Sequence, residues 1–486
     1  MHLQRENLES VEDEPRSRLN PTAMTDLRSQ AHPILNGSTL SLLEYYRLPE
    51  QWVEFSHSDD SLSRPGFFRF GEGTTCFGTC SGISPEESVD ESIPDAHPYA
   101  SVSPTLVSMP FALDEVVRNL RYEIYTEEKR THATRTFMLR AYYLIRPMLG
   151  VNVRKYLQRA YLAGWRNITF PRWPVDCSVE RNMERVLALG IKASGVDSVP
   201  FVWFWPKGYQ SCAVITHDVE SKKGKNFCGT LMNLDESCGI KSAFQLVPED
   251  RYEVSTGFLN EFRERGFELN VHDLNHDGML FSSEAEFLRR VSAINQYGRN
   301  FGARGFRTAV MYRNQEWFEA LDFEYDMSVP TVAHLEPQQG GCCTVMPFFI
   351  GKILELPLTT TQDYAMFHLI GDRSLDTWKR EIRAIHDRNG LISLLVHPDY
   401  ITESWARELY LRLLDYVCGL AVKERIWIAT PGQVNDWWRV RSHLSLDRVG
   451  KTWRIIGEQS ERAQIAYASL EGNEVRYSVV HPVAVV

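Results

Sequence analysis

The sequence predicts an α/β chain built on a β/α barrel, and three observations predict it. From Cys212 onward short apolar runs alternate with amphipathic stretches, the pattern of parallel strands joined by helices. Seven or eight such units in about 230 residues fit a barrel better than an open sheet. Carboxylates and imidazoles fall at the ends of the apolar runs, where a barrel of this kind carries its chemistry.

The bulk properties set the frame. At 486 residues the chain is too long for one ordinary domain, and two or three are expected. Apolar residues make up 43% and aromatics 12%, enough for a sizeable core, and a net charge of −10 argues against a nucleic-acid-binding surface. No run approaches the roughly 20 apolar residues of a transmembrane helix. Met1 to Arg18 is acidic and polar, with no basic n-region and no apolar h-region, so no secretory signal is expected and a cytoplasmic location is the default. The nine cysteines are odd in number and scattered. Reduced thiols fit them better than metal or redox pairs at Cys76/Cys80 or Cys342/Cys343.

Residues 1–38 are poor in large apolar side chains and are expected to be disordered. Residues 39–205 form a mixed α/β region. Leu42 to Tyr46 predicts a short helix, Gly66 to Gly71 a strand ended by glycine, and Ser84 to Ser103 a long surface loop. Spacings of three and four predict helices after Asp114, around Met138 to Ile145, from Tyr156 to Trp165 and from Val179 to Leu189. The basic Tyr156–Trp165 stretch fits a helix packed on its own protein better than one lying on an anionic membrane. The aromatic run Val199 to Pro206 reads as core or packing surface rather than a sugar-stacking platform.

The barrel is expected over 206–440. Its candidate strands are 212–217, 241–247, 267–272, 304–310, 323–328, 353–357, 391–397 and 426–429, with helices at 254–265, 284–298, 314–321, 374–389 and 403–421. After Arg439 alternating runs separated by Gly and Asn predict a small antiparallel β appendage over 441–486.

The polar residues at the strand ends are Asp218, Glu220, His272, His276, Arg307, Asp326, His397 and Asp399. Asp218 and Glu220 are two apart, so in extended chain they share one side. His272 and His276 are four apart, and a helical turn or a tight loop can bring both imidazoles to one ion. Two histidines and a carboxylate leave coordination positions open for water and substrate. Asp273 and Asp277 either fix the imidazole tautomers or are solvated loop acids. Gly340-Gly341 reads as a tight turn rather than a ligand cradle, and Thr359 to Tyr364 marks another strand end able to meet sugar hydroxyls, with no single residue assigned.

The ordered set Thr216 to Glu220, His272 to His276, Gly305 to Arg307, Tyr325 to Ser328, Glu355 to Pro357 and Leu394 to His397 resembles the motifs of the NodB-homology polysaccharide deacetylases, the carbohydrate esterase family 4 type. The resemblance covers about residues 206–440. It implies a distorted β/α barrel, a divalent metal (most often zinc), and removal of acetyl groups from N-acetylated sugars or glycan precursors. By position, Asp218 would be the base, Arg307 its orienting partner and His397 the acid that protonates the leaving amine. Glu220, His272 and His276 would hold the metal, while Leu394 would line the acetyl pocket and Asp326 would contact substrate. There are two departures. The family's first motif has adjacent aspartates, the second a ligand, where this chain has Val219, so Glu220 is the substitute. The proline two residues after the motif arginine is absent, since Thr308-Ala309 follow Arg307. Two other functions stay open: a non-catalytic barrel that binds a glycan or a protein, and a metal-dependent deformylase or other amidohydrolase.

Overall fold

The computed structural model describes residues 39–49, 52–58, 64–90, 92–126 and 151–480. The disorder expected of residues 1–38 and the helical spacing around 138–145 lie outside these. The N-terminal part opens with the helix Leu40–Tyr46, followed by strands β1 (Glu54–His57), β2 (Gly66–Arg69), β3 (Thr75–Gly78), β4 (Ser101–Ser103) and β5 (Leu106–Met109). The segment 84–103, expected to be a loop throughout, supplies β4 at its end, paired antiparallel to β5. Helices Leu113–Arg121, Val151–Tyr161 and Ser178–Ser194 follow, then strand β6 (Ser198–Val202). The aromatic run that contains β6 is core: Phe201, Trp203, Phe204 and Trp205 are all buried.

The barrel strands are β7 (Ser211–Val219), β8 (Ala243–Leu246), β9 (Glu268–His272), β10 (Gly305–Arg307), β11 (Tyr325–Asp326), β12 (Phe348–Ile350), β13 (Ile353–Glu355), β14 (Leu391–Leu395) and β15 (Ile426–Ile428). Their order is β12-β13-β11-β10-β9-β8-β7-β14, with β15 also on β7. All pairings are parallel except β12 with β13. Strand β7 organises the sheet because it has three neighbours. Strand β14 runs along one edge, while the other edge carries β15 beside Ser211–Ala213 and β8 beside Thr216–Val219.

The sheet curls without closing strand to strand. The outer edge of β14 is instead met by loop groups. Thr359 Oγ1 donates to Leu391 O at 2.7 Å and accepts from Ser393 N at 2.8 Å, and Thr360 Oγ1 donates to Ser393 O at 2.7 Å. Leu391 N donates to Val345 O. These bonds satisfy an edge that would otherwise stay unpaired, and the result is a distorted barrel.

Two helices and one strand depart from the expected pattern. Lys222–Ser237 is a helix although two glycines and five lysine or acidic residues dilute its apolar spacing; Ser221 caps it by accepting from Lys223 N at 3.1 Å. Pro431–His443 is a helix announced by Thr430-Pro431-Gly432-Gln433, a capping box with proline in the first turn. Strand β12 is short and antiparallel, so the periodicity of a buried parallel strand does not find it. The expected helix at 314–321 is a 3₁₀ segment, Gln315–Ala320. At the C-terminus, β16 (Ser445–Val449) pairs with β17 (Thr452–Ile456) and β18 (Ile465–Glu471) with β19 (Glu474–Val479). Strand β18 also pairs with β6.

Alternate residues of the barrel strands fill two different cores. Ala213, Ile215, Ile392 and Leu394 pack outward under the helices. Cys212, Val214, Leu354 and Leu391 point inward and join one apolar cluster with Leu42, Phe68 and Met183 of the N-terminal part. A buried ion pair adds to this joint. Arg313 donates to Glu123 through Nε at 2.7 Å and through Nη2, while Gln315 Nε2 and Gly341 N donate to the same carboxylate at 2.8 and 2.6 Å. Removing one member of such a pair strands the other in a dry site, at a cost of roughly 3–5 kcal/mol. Arg313→Met should therefore lose about that much stability in equilibrium urea unfolding. A loss within experimental error of zero would show that the joint does not hold the two parts together.

Candidate active site

Strand β7 ends in a run of buried residues, Thr216 to Val219, and the alternation puts Thr216 and Asp218 on the barrel interior. Asp218 meets Arg307 from β10: Nη1 donates to Oδ1 at 2.8 Å and to Thr216 Oγ1 at 2.9 Å, while Nε donates to Met327 O at 2.9 Å. Burial works against the Asp218 charge, but Arg307, His272 and His397 outweigh it and hold the carboxyl below its usual range.

His272, the last residue of β9, places Nδ1 3.1 Å from the carbonyl oxygen of Arg307. A carbonyl only accepts, so Nδ1 carries the proton and Nε2 presents a bare lone pair. Burial pushes this imidazole down to about 4, so it is neutral at pH 7. Its Nε2 is buried without a hydrogen-bond partner and lies 3.6 Å from Asp218 Oδ2. A tight loop, not a helical turn, brings in His276. Asp273 and His276 both adopt left-handed backbone, with φ of 56° each. Arg251 clamps the loop by donating to the carbonyls of Asn275, at 3.0 Å, and His276. The two rings come to 4.9 Å between centroids.

Glu220 closes the group. Its Oε1 lies 2.9 Å from His276 Nε2, off the line a hydrogen bond needs, and 3.6 Å from His397 Nε2. One ligand atom each from Glu220, His272 and His276 falls within 4.8 Å of the others. Two buried, unpartnered ring nitrogens beside a carboxylate are the donor set of a divalent ion, so these residues fit one. Val219, which replaces the second aspartate of the family motif, points away into the apolar layer, and Glu220 reaches the site from one residue further on. Its position is fixed by Asp399, which accepts from Glu220 N at 3.3 Å, from Gly224 N at 3.2 Å and from the Ser221 hydroxyl. A Cβ on Gly224 would stand 2.2 Å from Asp399 Oδ2, so only glycine allows this approach.

Across from Asp218 stands His397, just beyond β14. Asp363 grips it twice, accepting from His397 N at 2.8 Å and from Nδ1 at 2.6 Å. Burial opposes the charge, but Asp363, then Glu220 and Asp218, raise the imidazole to about 10. His397 therefore carries a proton at pH 7, with Nε2–H facing the cluster. Asp363 is the residue that strand-end reasoning missed: it sits in the loop after β13, inside Thr359 to Tyr364, and no periodicity singles it out. Glu381 anchors that loop by accepting from Thr361 N at 3.0 Å and Oγ1 at 2.5 Å.

Two expectations need correction. Leu394 does not face the cluster; it packs outward with Ile215 and Val396. The neighbour on the His397 face is Leu395, which clusters with Met311 and Leu358. Asp326 is fully buried, and both of its oxygens accept from Ser328, at 3.0 and 2.8 Å. It lies beside Glu355, which burial and the Asp326 carboxylate push well up. Neither Asp273 nor Asp277 steadies an imidazole: Asp277 pairs with Arg290 at 2.8 Å, and Asp273 Oδ1 accepts from Leu274 N.

No family model matches the chain, and no curated protein matches it. Solved structures do. The chain is similar to polysaccharide deacetylases of known structure. A putative polysaccharide deacetylase from Mycobacterium smegmatis shares 14% identity at a TM-score of 0.40, over 52% of this chain and 98% of that one. The Puue allantoinase shares 12% at 0.39, over 48% and 92%. A mutant of the peptidoglycan deacetylase PdaC from Bacillus subtilis shares 11% at 0.31, over 48% and 94%.

The His397–Asp363 contact has a direct readout. In metal-free protein the His397 ring, followed by NMR, should titrate near 10, and Asp363→Asn should bring it down by several units. Because the folded pKa lies above the unfolded one, this proton's contribution to stability is complete below about 6.5 and fades as pH rises toward 10. Titration of the wild-type ring near 6.5 would contradict the geometry.

Proposed function

We propose that the chain is a metal-dependent hydrolase that removes an acetyl group from an N-acetylated sugar or glycan precursor. The observation that carries this reading is the convergence of Glu220, His272 and His276 between an arginine-held carboxylate on one side and a protonated imidazole on the other. The motif resemblance supplies the substrate class.

Glu220, His272 and His276 would hold the ion, and two imidazoles with one carboxylate suit zinc. When bound there, a divalent ion lowers the pKa of water and polarises a carbonyl. The chain's own groups perform the proton transfers. Asp218 is ionised and keeps Oδ2 free of Arg307, so it accepts the proton of the attacking water. Arg307 holds the carboxylate in place and keeps it charged. His397 delivers a proton from Nε2 to the departing sugar amine, while Asp363 fixes its Nδ1 and makes the imidazolium favourable. Leu395, with Met311 and Leu358, offers an apolar wall suited to an acetyl methyl.

The test is acetate release from N-acetylglucosamine oligomers by the zinc-supplied protein. Asp218→Asn and His397→Ala should each lower kcat by about 10²–10⁴-fold. If the zinc-loaded wild type releases no acetate while releasing formate or another acyl group from a non-sugar amide, the ion reading stands and the sugar reading fails.

A further inference from the structure

The opposite end of the barrel carries a second opening. Gln210 precedes β7 and Asn389 precedes β14, so the amino ends of these strands border it, roughly 30 Å of strand away from Glu220. The turn at Gly73, the helix Ser178–Ser194 and the turn of the β18–β19 hairpin complete a cleft of about 610 Å³, a size that suits a small polar ligand.

The charges along this cleft are only partly answered. Arg388 pairs with Glu184 at 2.7 Å, and Arg476 with Glu474 at 2.9 Å. Three further guanidiniums line the cleft, and among the described residues none has a carboxylate within ion-pair reach. Arg181 donates only to the carbonyl of Gly73, at 2.5 Å, and Arg185 only to that of Glu72, at 3.3 Å. A carbonyl leaves most of the five N–H donors unspent. Arg181 and Arg185 are four apart on one helix, so their like charges share a face and oppose the helix unless an anion lies between them. Arg172 adds a third from the segment before the helix. At the same wall the Thr74 hydroxyl is buried without a hydrogen-bond partner, a group that folded proteins seldom leave unanswered. Gln210, Asn389 and Asn473 supply neutral donors and acceptors, and the Glu72 and Asp387 carboxylates accept well from hydroxyls.

We propose that this cleft binds a small oxyanion-bearing saccharide, a sugar phosphate, with Arg172, Arg181 and Arg185 on the phosphate and the amide and carboxylate groups on the sugar hydroxyls. Guanidiniums take phosphate oxygens bidentately, and a mixed rim of amides and acids is the complement of a polyol. The site is separate from the candidate active site and does not depend on its chemistry.

Isothermal titration of the full chain with glucose 6-phosphate, glucose and inorganic phosphate separates the parts of the claim. Glucose 6-phosphate should bind saturably and more tightly than either fragment. Its affinity should fall about tenfold or more in Arg181→Gln/Arg185→Gln, fall less in Arg172→Gln, and stay unchanged in His272→Ala/His276→Ala. Arg172→Gln is the variant least able to disturb folding, since its side chain is exposed and makes no hydrogen bond or ion pair among the described residues. Absence of saturable binding below about 10 mM would overturn the proposal, as would binding that survives both arginine variants or is lost in the histidine variant. Phosphate binding as tight as that of the sugar phosphate would overturn the saccharide half.

Discussion

The candidate site depends on one buried guanidinium. Arg307 has no exposed surface, yet it carries a full charge into the barrel. Its Nη1 holds Asp218, its Nε is satisfied by Met327 O, and its own carbonyl takes Nδ1–H of His272 and N–H of Asp273. One residue thus sets the direction of the Asp218 carboxylate, the tautomer of a histidine and the start of the loop that delivers His276. Burying such a charge is costly; Asp218 answers it at 2.8 Å, while Arg307 Nη2 is buried without a hydrogen-bond partner among the described residues. Thr308-Ala309 after this arginine, in place of the family's Arg-x-Pro spacing, leaves these contacts intact.

The sheet brings the second half of the site into range. Strand β14 lies against β7, with Leu395 beside Thr216, so the residue two beyond Leu395, His397, arrives opposite Asp218. Asp399 then ties the His397 loop back to Glu220 and the start of the following helix. The loss of the second motif aspartate at Val219 is therefore absorbed locally. Glu220, one residue along, stands beside His272 and His276 instead, and an acid from the neighbouring strand's loop holds its backbone. The protonation states divide in the same way. His272 is driven neutral by burial, which outweighs Asp218 and Glu220, while His397 is driven charged by three carboxylates. Two histidines in one cavity acquire opposite tasks from their neighbours.

Much of this was legible in the sequence. Eight barrel strands could be read from apolar runs, because strands buried on both faces carry an unbroken signal. Asp218, Glu220, His272, His276, Arg307 and His397 could be placed because each lies at or just past a strand end, and the structure brings these six together. Other features could not be read there. Asp363 sits in a loop with no period, so only three-dimensional contact reveals its hold on His397. Leu394 and Leu395 differ by one position in a strand whose two faces are both apolar, and a one-residue error in such a strand turns the side chain to the opposite layer. Asp326 stands at a strand end like the others, yet its partner Glu355 comes from β13, a pairing that sequence order does not give. The helix Lys222–Ser237 was hidden because its buried face carries only Cys228, Leu231 and Met232 as larger apolar groups, beside Gly224 and Asp235.

The central claim is that Glu220, His272 and His276 form a metal centre. Elemental mass spectrometry tests it most directly, on protein purified without chelator and offered zinc, beside His272→Ala/His276→Ala and Glu220→Ala. The account predicts near-stoichiometric zinc in the wild type, loss of the ion in the double variant and weakened retention in Glu220→Ala. Wild-type protein that holds no more metal than the double variant would contradict it.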